Sequence, residues 1–136
     1  MLEKNPENVK IVFKNLPLTN IHNMAEPAAL ASFAAQNQGK FWQMHDAIFA
    51  MNNSISMEKL LAAAKEIGLD MDKFNSDLNS AETKKRLTKD VMDARQAGVS
   101  GTPTLFVNGR RINDRSPQAM QNIIDQELAK SKKSAN

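Results

Sequence analysis

Apolar positions change their period along the chain, dividing it into a strand-like start, a long helical block and a tail of strand, turn, strand and helix. "VKIVFK", Val9 to Lys14, is a β-branched and aromatic run with the length and composition of a buried strand, and "NLPL" closes it. Ahead of it, Leu2 to Lys4 reads as the last turn of a helix that stops at Asn5-Pro6, because proline disfavours helix in the residue before it. A domain seldom begins with the end of an element. The pattern therefore leads us to expect a further segment upstream.

The block that follows is helical throughout. Between Met24 and Gln36 the alanines at 25, 28, 29, 31, 34 and 35, with Leu30 and Phe33, give a helix with small residues on most faces, and Pro27 fits only in its first turn. Gly39 ends it, and Phe41, Trp42, His45, Ile48 and Phe49 recur at helical spacing in a second helix. Ser56 caps a third carrying Leu60, Leu61, Ala64 and Ile67 up to Gly68, and Asp70 caps a fourth with Met71, Phe74 and Leu78. Ser80 caps a fifth, with Leu87, Val91 and Ala94 on one face, running to Gly98.

The tail then shortens its period. Thr104 to Val107 reads as a strand, Asn108-Gly109 as a tight hairpin turn needing positive φ, and Arg110 to Ile112 as the returning antiparallel strand. Ser116-Pro117 opens a last helix whose buried stripe is Met120, Ile123, Ile124 and Leu128. "KSKK" near the end reads as a frayed, solvated terminus.

Composition narrows the chemistry. With 136 residues the chain has the size of one domain whose core needs neither disulfide nor metal, and it contains no cysteine. A net charge of +3, from 18 basic and 15 acidic residues spread along the chain, gives no argument for nucleic acid. No signal peptide is read at the start, and no apolar run approaches the roughly 20 residues that span a bilayer.

The histidines, His22 and His45, lack the spacing of a zinc site, so no metal and no cofactor are expected. His45 reads as a half-buried, hydrogen-bonded residue in a helix contact, and His22 as part of the start of the first helix. "NLPLTN" has no glycine and makes no phosphate loop, and "GVSG" precedes a strand where a nucleophile elbow needs a helix. Asp90, with Lys84, Lys85, Arg86 and Lys89 nearby, reads as part of an exposed charged helix face. No side chain is an evident catalyst.

The most informative stretch is "GVSGTPTLFVNGR", Gly98 to Arg110. On physical grounds Pro103 has two readings: a trans proline at the first residue of a strand, where no ladder donor is needed, or a cis bond to which the glycines at 98 and 101 give room. Together with "DVMDARQAG" and "QGKFWQMHDAIF", this stretch resembles the DsbA-like branch of the thioredoxin-fold thiol-disulfide oxidoreductases.

The resemblance runs over essentially the whole chain. It implies an α/β architecture, an incomplete thioredoxin-like fold with an inserted helical domain. Residues 1–136 would form a single domain lacking its first strand, with the helical insertion at 22–97 and the cis-proline loop, hairpin and C-terminal helix at 98–131. It also implies a cis Thr102-Pro103 bond, with the N–H and C=O of Thr102 left to pair with an extended substrate polypeptide; Val99, Gly101, Thr102 and Pro103 are the implied substrate-binding residues.

The sequence departs from the family in lacking the first strand and the Cys-x-x-Cys motif. The expectation is therefore the C-terminal portion of a DsbA-like oxidoreductase, itself unable to exchange disulfides, from a periplasmic or secreted parent. The alternative is a cysteine-free polypeptide-binding module of the same fold. The partner expected is an extended polypeptide, with no nucleic acid and no membrane span. Strand edges left unpaired are expected to pair with each other, Val9–Phe13 with Thr104–Val107, or with a second copy.

Overall fold

Alanine sets how closely the helices pack in the computed structural model, which describes residues 2–134, with side chains from Glu3 to Lys132. Helix α1 (Ala25–Gln36) is buried at every position from Ala28 to Ala35, so neighbours press on all of its faces. It packs against α2 (Phe41–Ala50), α3 (Met57–Glu66), α4 (Met71–Leu78) and α5 (Ala81–Gln96). Side chains of one methyl let those neighbours approach closely, and Met44, Leu60 and Phe74, all fully buried, fill the space between. Arg86 adds a cation over the Phe33 ring, 4.5 Å from its centroid.

The helix boundaries follow local chemistry. Ser56, Asp70 and Ser80 accept the backbone N–H of Lys59, Lys73 and Thr83 at 3.2, 2.9 and 3.1 Å, which satisfies donors that the first helical turn leaves over. Lys40 closes the end of α3 from outside, donating to the Ile67 carbonyl at 2.6 Å and the Gly68 carbonyl at 3.3 Å. A 3-10 turn, Asn52–Ser54, joins α2 to α3. Together these elements form one compact unit, Lys14–Ser100.

The second unit is discontinuous and comprises the residues through Phe13 and those from Gly101 on. It holds a 3-10 turn (Leu2–Lys4), the strands β1 (Leu105–Val107) and β2 (Arg110–Ile112), and the helix α6 (Pro117–Ser134). The hairpin is antiparallel, pairing Leu105 with Ile112, Phe106 with Arg111 and Val107 with Arg110. Asn108 and Gly109 turn it at φ of 47° and 80°, the two positive values that a type I′ turn requires. Ser116 caps α6 by accepting from the Ala119 N–H at 3.3 Å.

The core of this second unit is small. Ile112 and Ile124 are its buried apolar residues among those described, and Met120, Ile123 and Leu128, expected to share the stripe, are only half-buried. Asn5 is buried with them and forms a reciprocal amide pair with Gln121, donating at 3.0 Å and accepting at 3.3 Å.

Two expectations are corrected. Val9–Lys14 forms no strand, and Val12 is 70% exposed. A strand is held by a neighbour's hydrogen bonds, and the sheet described here consists of β1 and β2 alone, so the run has propensity without a ladder. Its expected pairing with Thr104–Val107 does not occur. The lysine-rich end, expected to fray, is helical through Ser134, as alanine and lysine favour helix and basic residues suit a helix C-terminus. Ala135 and Asn136 lie outside the described residues. No helix among the described residues is long and apolar enough to cross a membrane.

Candidate functional site

The four residues expected to meet a substrate divide between the two units. Val99 closes the helical one: its N–H bonds the Ala94 carbonyl at 2.9 Å and the Gly98 N–H bonds the Arg95 carbonyl at 3.0 Å. With Gly98 at φ 68°, this is the Schellman arrangement that ends a helix, so the backbone N–H of Val99 is committed to α5. Gly101, Thr102 and Pro103 belong to the other unit and lead directly into β1.

The loop is braced on both sides of Thr102. The Thr104 hydroxyl donates to the Gly101 carbonyl at 2.7 Å, and the Arg115 guanidinium donates to the Pro103 carbonyl at 3.2 Å. Asp114, next to that arginine, accepts the Ser116 N–H at 2.9 Å, and this bond holds its carboxyl below the usual carboxylate range. Between the two braces the Thr102-Pro103 peptide bond is cis and both residues are exposed. Among the described residues, the N–H and C=O of Thr102 make no hydrogen bond. The edge of β1 away from β2 is likewise without a strand neighbour among them.

The loop offers backbone donors and acceptors. The sequence has no thiol, and among the described residues no three His, Cys, Asp or Glu side chains gather to hold a metal. His45 lies in an aromatic row on α2, its ring 4.5 Å from Phe49 and 5.2 Å from Trp42 between centroids, with Nδ1 2.9 Å from the Asp46 carboxylate.

Asp90 is the residue that the sequence reading misplaced. It is buried, accepting the Asn15 N–H at 2.8 Å and the Lys14 ammonium at 3.2 Å. The signal was available: Asp90 falls on the helical stripe of Thr83, Leu87 and Ala94, which faces inward. Beside it, Asp93 takes the same ammonium at 2.8 Å. The bond to Asp93 raises the Lys14 amine above the ordinary lysine value, and the bond to Lys14 lowers the Asp93 carboxyl below the ordinary carboxylate value. The pair thus stabilises between those ordinary values; acid titrating Asp93 or base titrating Lys14 removes it. Asp90→Ala is expected to cost about 1–3 kcal/mol in urea unfolding by stranding the Asn15 N–H, whereas Lys14→Met should cost less.

An α-helical block set into a segment that supplies a proline loop, hairpin and closing helix defines a thioredoxin-like fold with a helical insertion. A model of the DSBA-like thioredoxin domain matches residues 2–125, and the chain belongs to that family. Its fold is similar to a thioredoxin-like oxidoreductase from Silicibacter pomeroyi, with TM-score 0.66 and 23% identity over 90% of this chain and 66% of that one. It is also similar to the oxidoreductase DsbA from Xylella fastidiosa, with TM-score 0.64 and 24% identity over 78% of this chain and 64% of that one.

Among curated proteins it is 43% identical over 104 residues to the Na(+)/H(+) antiporter NhaA 1 of Salinispora arenicola, covering 76% of this chain and 16% of that protein. It is 38% identical over 107 residues to the Na(+)/H(+) antiporter NhaA of Herminiimonas arsenicoxydans, covering 78% of this chain and 17% of that protein. The chain thus spans about a sixth of the length of these curated relatives.

Proposed function

We propose that this chain is the polypeptide-holding part of a DsbA-like thiol-disulfide oxidoreductase. An extended polypeptide adds to the edge of β1 and pairs with the N–H and C=O of Thr102, with Gly101 and Pro103 beside it. The observation that carries this reading is the exposed Thr102 backbone without an internal partner, flanked by two braced carbonyls.

Disulfide exchange requires a thiolate attacking a disulfide sulfur, and these 136 residues contain no cysteine. The chain itself is therefore redox-inactive in this reading. The thiols of the oxidoreductase come from outside these residues, in a periplasmic or secreted setting. The domain is taken as 1–136 with the helical part at 22–97. The transport activity in the relatives' names forms no part of the reading, because the likeness reaches only about a sixth of each.

The test uses a fluorescein-labelled, end-capped Ser-Val-Thr-Val-Ser peptide and its N-methylated versions. Methylating the amide that pairs with Thr102 removes a hydrogen bond and is expected to weaken binding about tenfold, whereas methylating the next amide, which faces away, leaves it unchanged. A response without this alternation, or no binding at millimolar chain, overturns strand addition. A disulfide-reductase assay of the chain is expected to read zero, and turnover there overturns the redox-inactive reading.

A further inference from the structure

A second surface lies wholly within the helical unit. An open groove of about 390 Å³ runs along α5, with Pro17, Thr19 and Glu26 on its other side. From α5 it is lined in part by Lys84, Thr88, Val91 and Arg95, which follow one another at helical spacing and so form a single line along the helix. That line is about 16 Å long. It is basic at both ends and apolar between.

Three observations separate this line from an ordinary solvated helix face. First, its charges are unused. Lys89 and Arg86 on the same helix are engaged by Asp93 and Asn37, but among the described residues Lys84, Arg95 and Glu26 make no ion pair or side-chain hydrogen bond. Second, the middle asks for nothing polar, since the Thr88 hydroxyl is satisfied by the Lys84 carbonyl at 3.0 Å. Third, Leu87 and Val91 floor the groove while Met92, 51% exposed, stands over it as an adaptable apolar wall.

From this arrangement we infer that the α5 groove binds a short extended polypeptide segment with an acidic residue at each end and an apolar residue between them. In an extended chain, residues i, i+2 and i+4 share a face and span about 13 Å. The pattern acid-x-apolar-x-acid therefore sets its carboxylates toward Lys84 and Arg95, whose long side chains take up the remaining distance, and its apolar residue over Val91 and Met92. Glu26 disfavours a uniformly acidic partner and limits the carboxylates to the ends. Side chains read this segment, so the site is independent of the backbone pairing assigned to Thr102.

The probe is a fluorescein-labelled, end-capped Glu-Ser-Leu-Ser-Glu peptide, measured by anisotropy against the full chain. Its affinity is expected to fall about tenfold in the double variant Lys84→Glu/Arg95→Glu and to weaken severalfold as salt shortens the screening length. The same double variant is expected to bind Lys-Ser-Leu-Ser-Lys more tightly than the parent does, an outcome a misfolded variant would not give. Moving both glutamates to adjacent positions should abolish the preference, and N-methylation of the probe should not. Equal affinity for parent and double variant, or indifference to glutamate spacing, would overturn the assignment.

Discussion

Phe74→Ala is expected to lower the unfolding free energy of the helical unit by about 3–5 kcal/mol, read from urea titration by far-UV circular dichroism. The size follows from what surrounds the ring. Phe74 is fully buried on α4, which packs against α1, α3 and α5, and α1 presents mostly alanine along its buried run. Alanines cannot grow into a void, and the α1 backbone already sits close to its neighbours. The cavity left by the ring therefore persists instead of collapsing. Against a typical total of about 5–15 kcal/mol, this loss takes away a large share of what keeps a domain folded. Phe74→Leu should recover much of it, and a loss below about 1 kcal/mol for the alanine variant would place the core elsewhere.

Amide hydrogen exchange is expected to divide the chain sharply, with α1 amides protected on the order of 100-fold or more beyond those of β1 and β2. The helical unit closes its core on five helices. The hairpin is a two-stranded sheet of three residues a strand, with Ile112 and Ile124 as the buried apolar residues of its unit. Two strands alone are marginal in water, so its hydrogen bonds open far more readily. A polypeptide added to the edge of β1 should slow exchange in the hairpin and leave α1 unchanged. Equal protection in both units would show that the hairpin draws its stability from more than its own core.

What was legible in the sequence was what is decided locally. Ser56, Asp70 and Ser80 each cap the helix they were expected to cap, and Asn108-Gly109 turns the hairpin, because each choice depends on a few neighbouring atoms. Val9–Lys14 was not legible, since a strand exists only if another segment supplies its ladder. Asp90 was misread because Lys84, Lys85 and Lys89 around it are exposed, while its partners, Lys14 and Asn15, lie far back along the chain. The loop from Gly101 to Pro103 stood out by its residues. The commitment of the Val99 N–H to the end of α5 was hidden, because glycine at a helix end and glycine in a binding loop read alike.

The Asn5–Gln121 amide pair joins residues 116 positions apart. Closing a flexible loop of that length costs about 4 kcal/mol in chain entropy, more than two neutral hydrogen bonds return. The contact between Lys14 and Asp93 already ties the first residue of the helical unit to its last helix. Once that unit has folded, only the residues on either side of the tie remain loose, and the closure becomes easier by about 1 kcal/mol. The connectivity therefore favours an order of assembly in which the helical unit forms first and the opening turn and closing helix find each other afterwards.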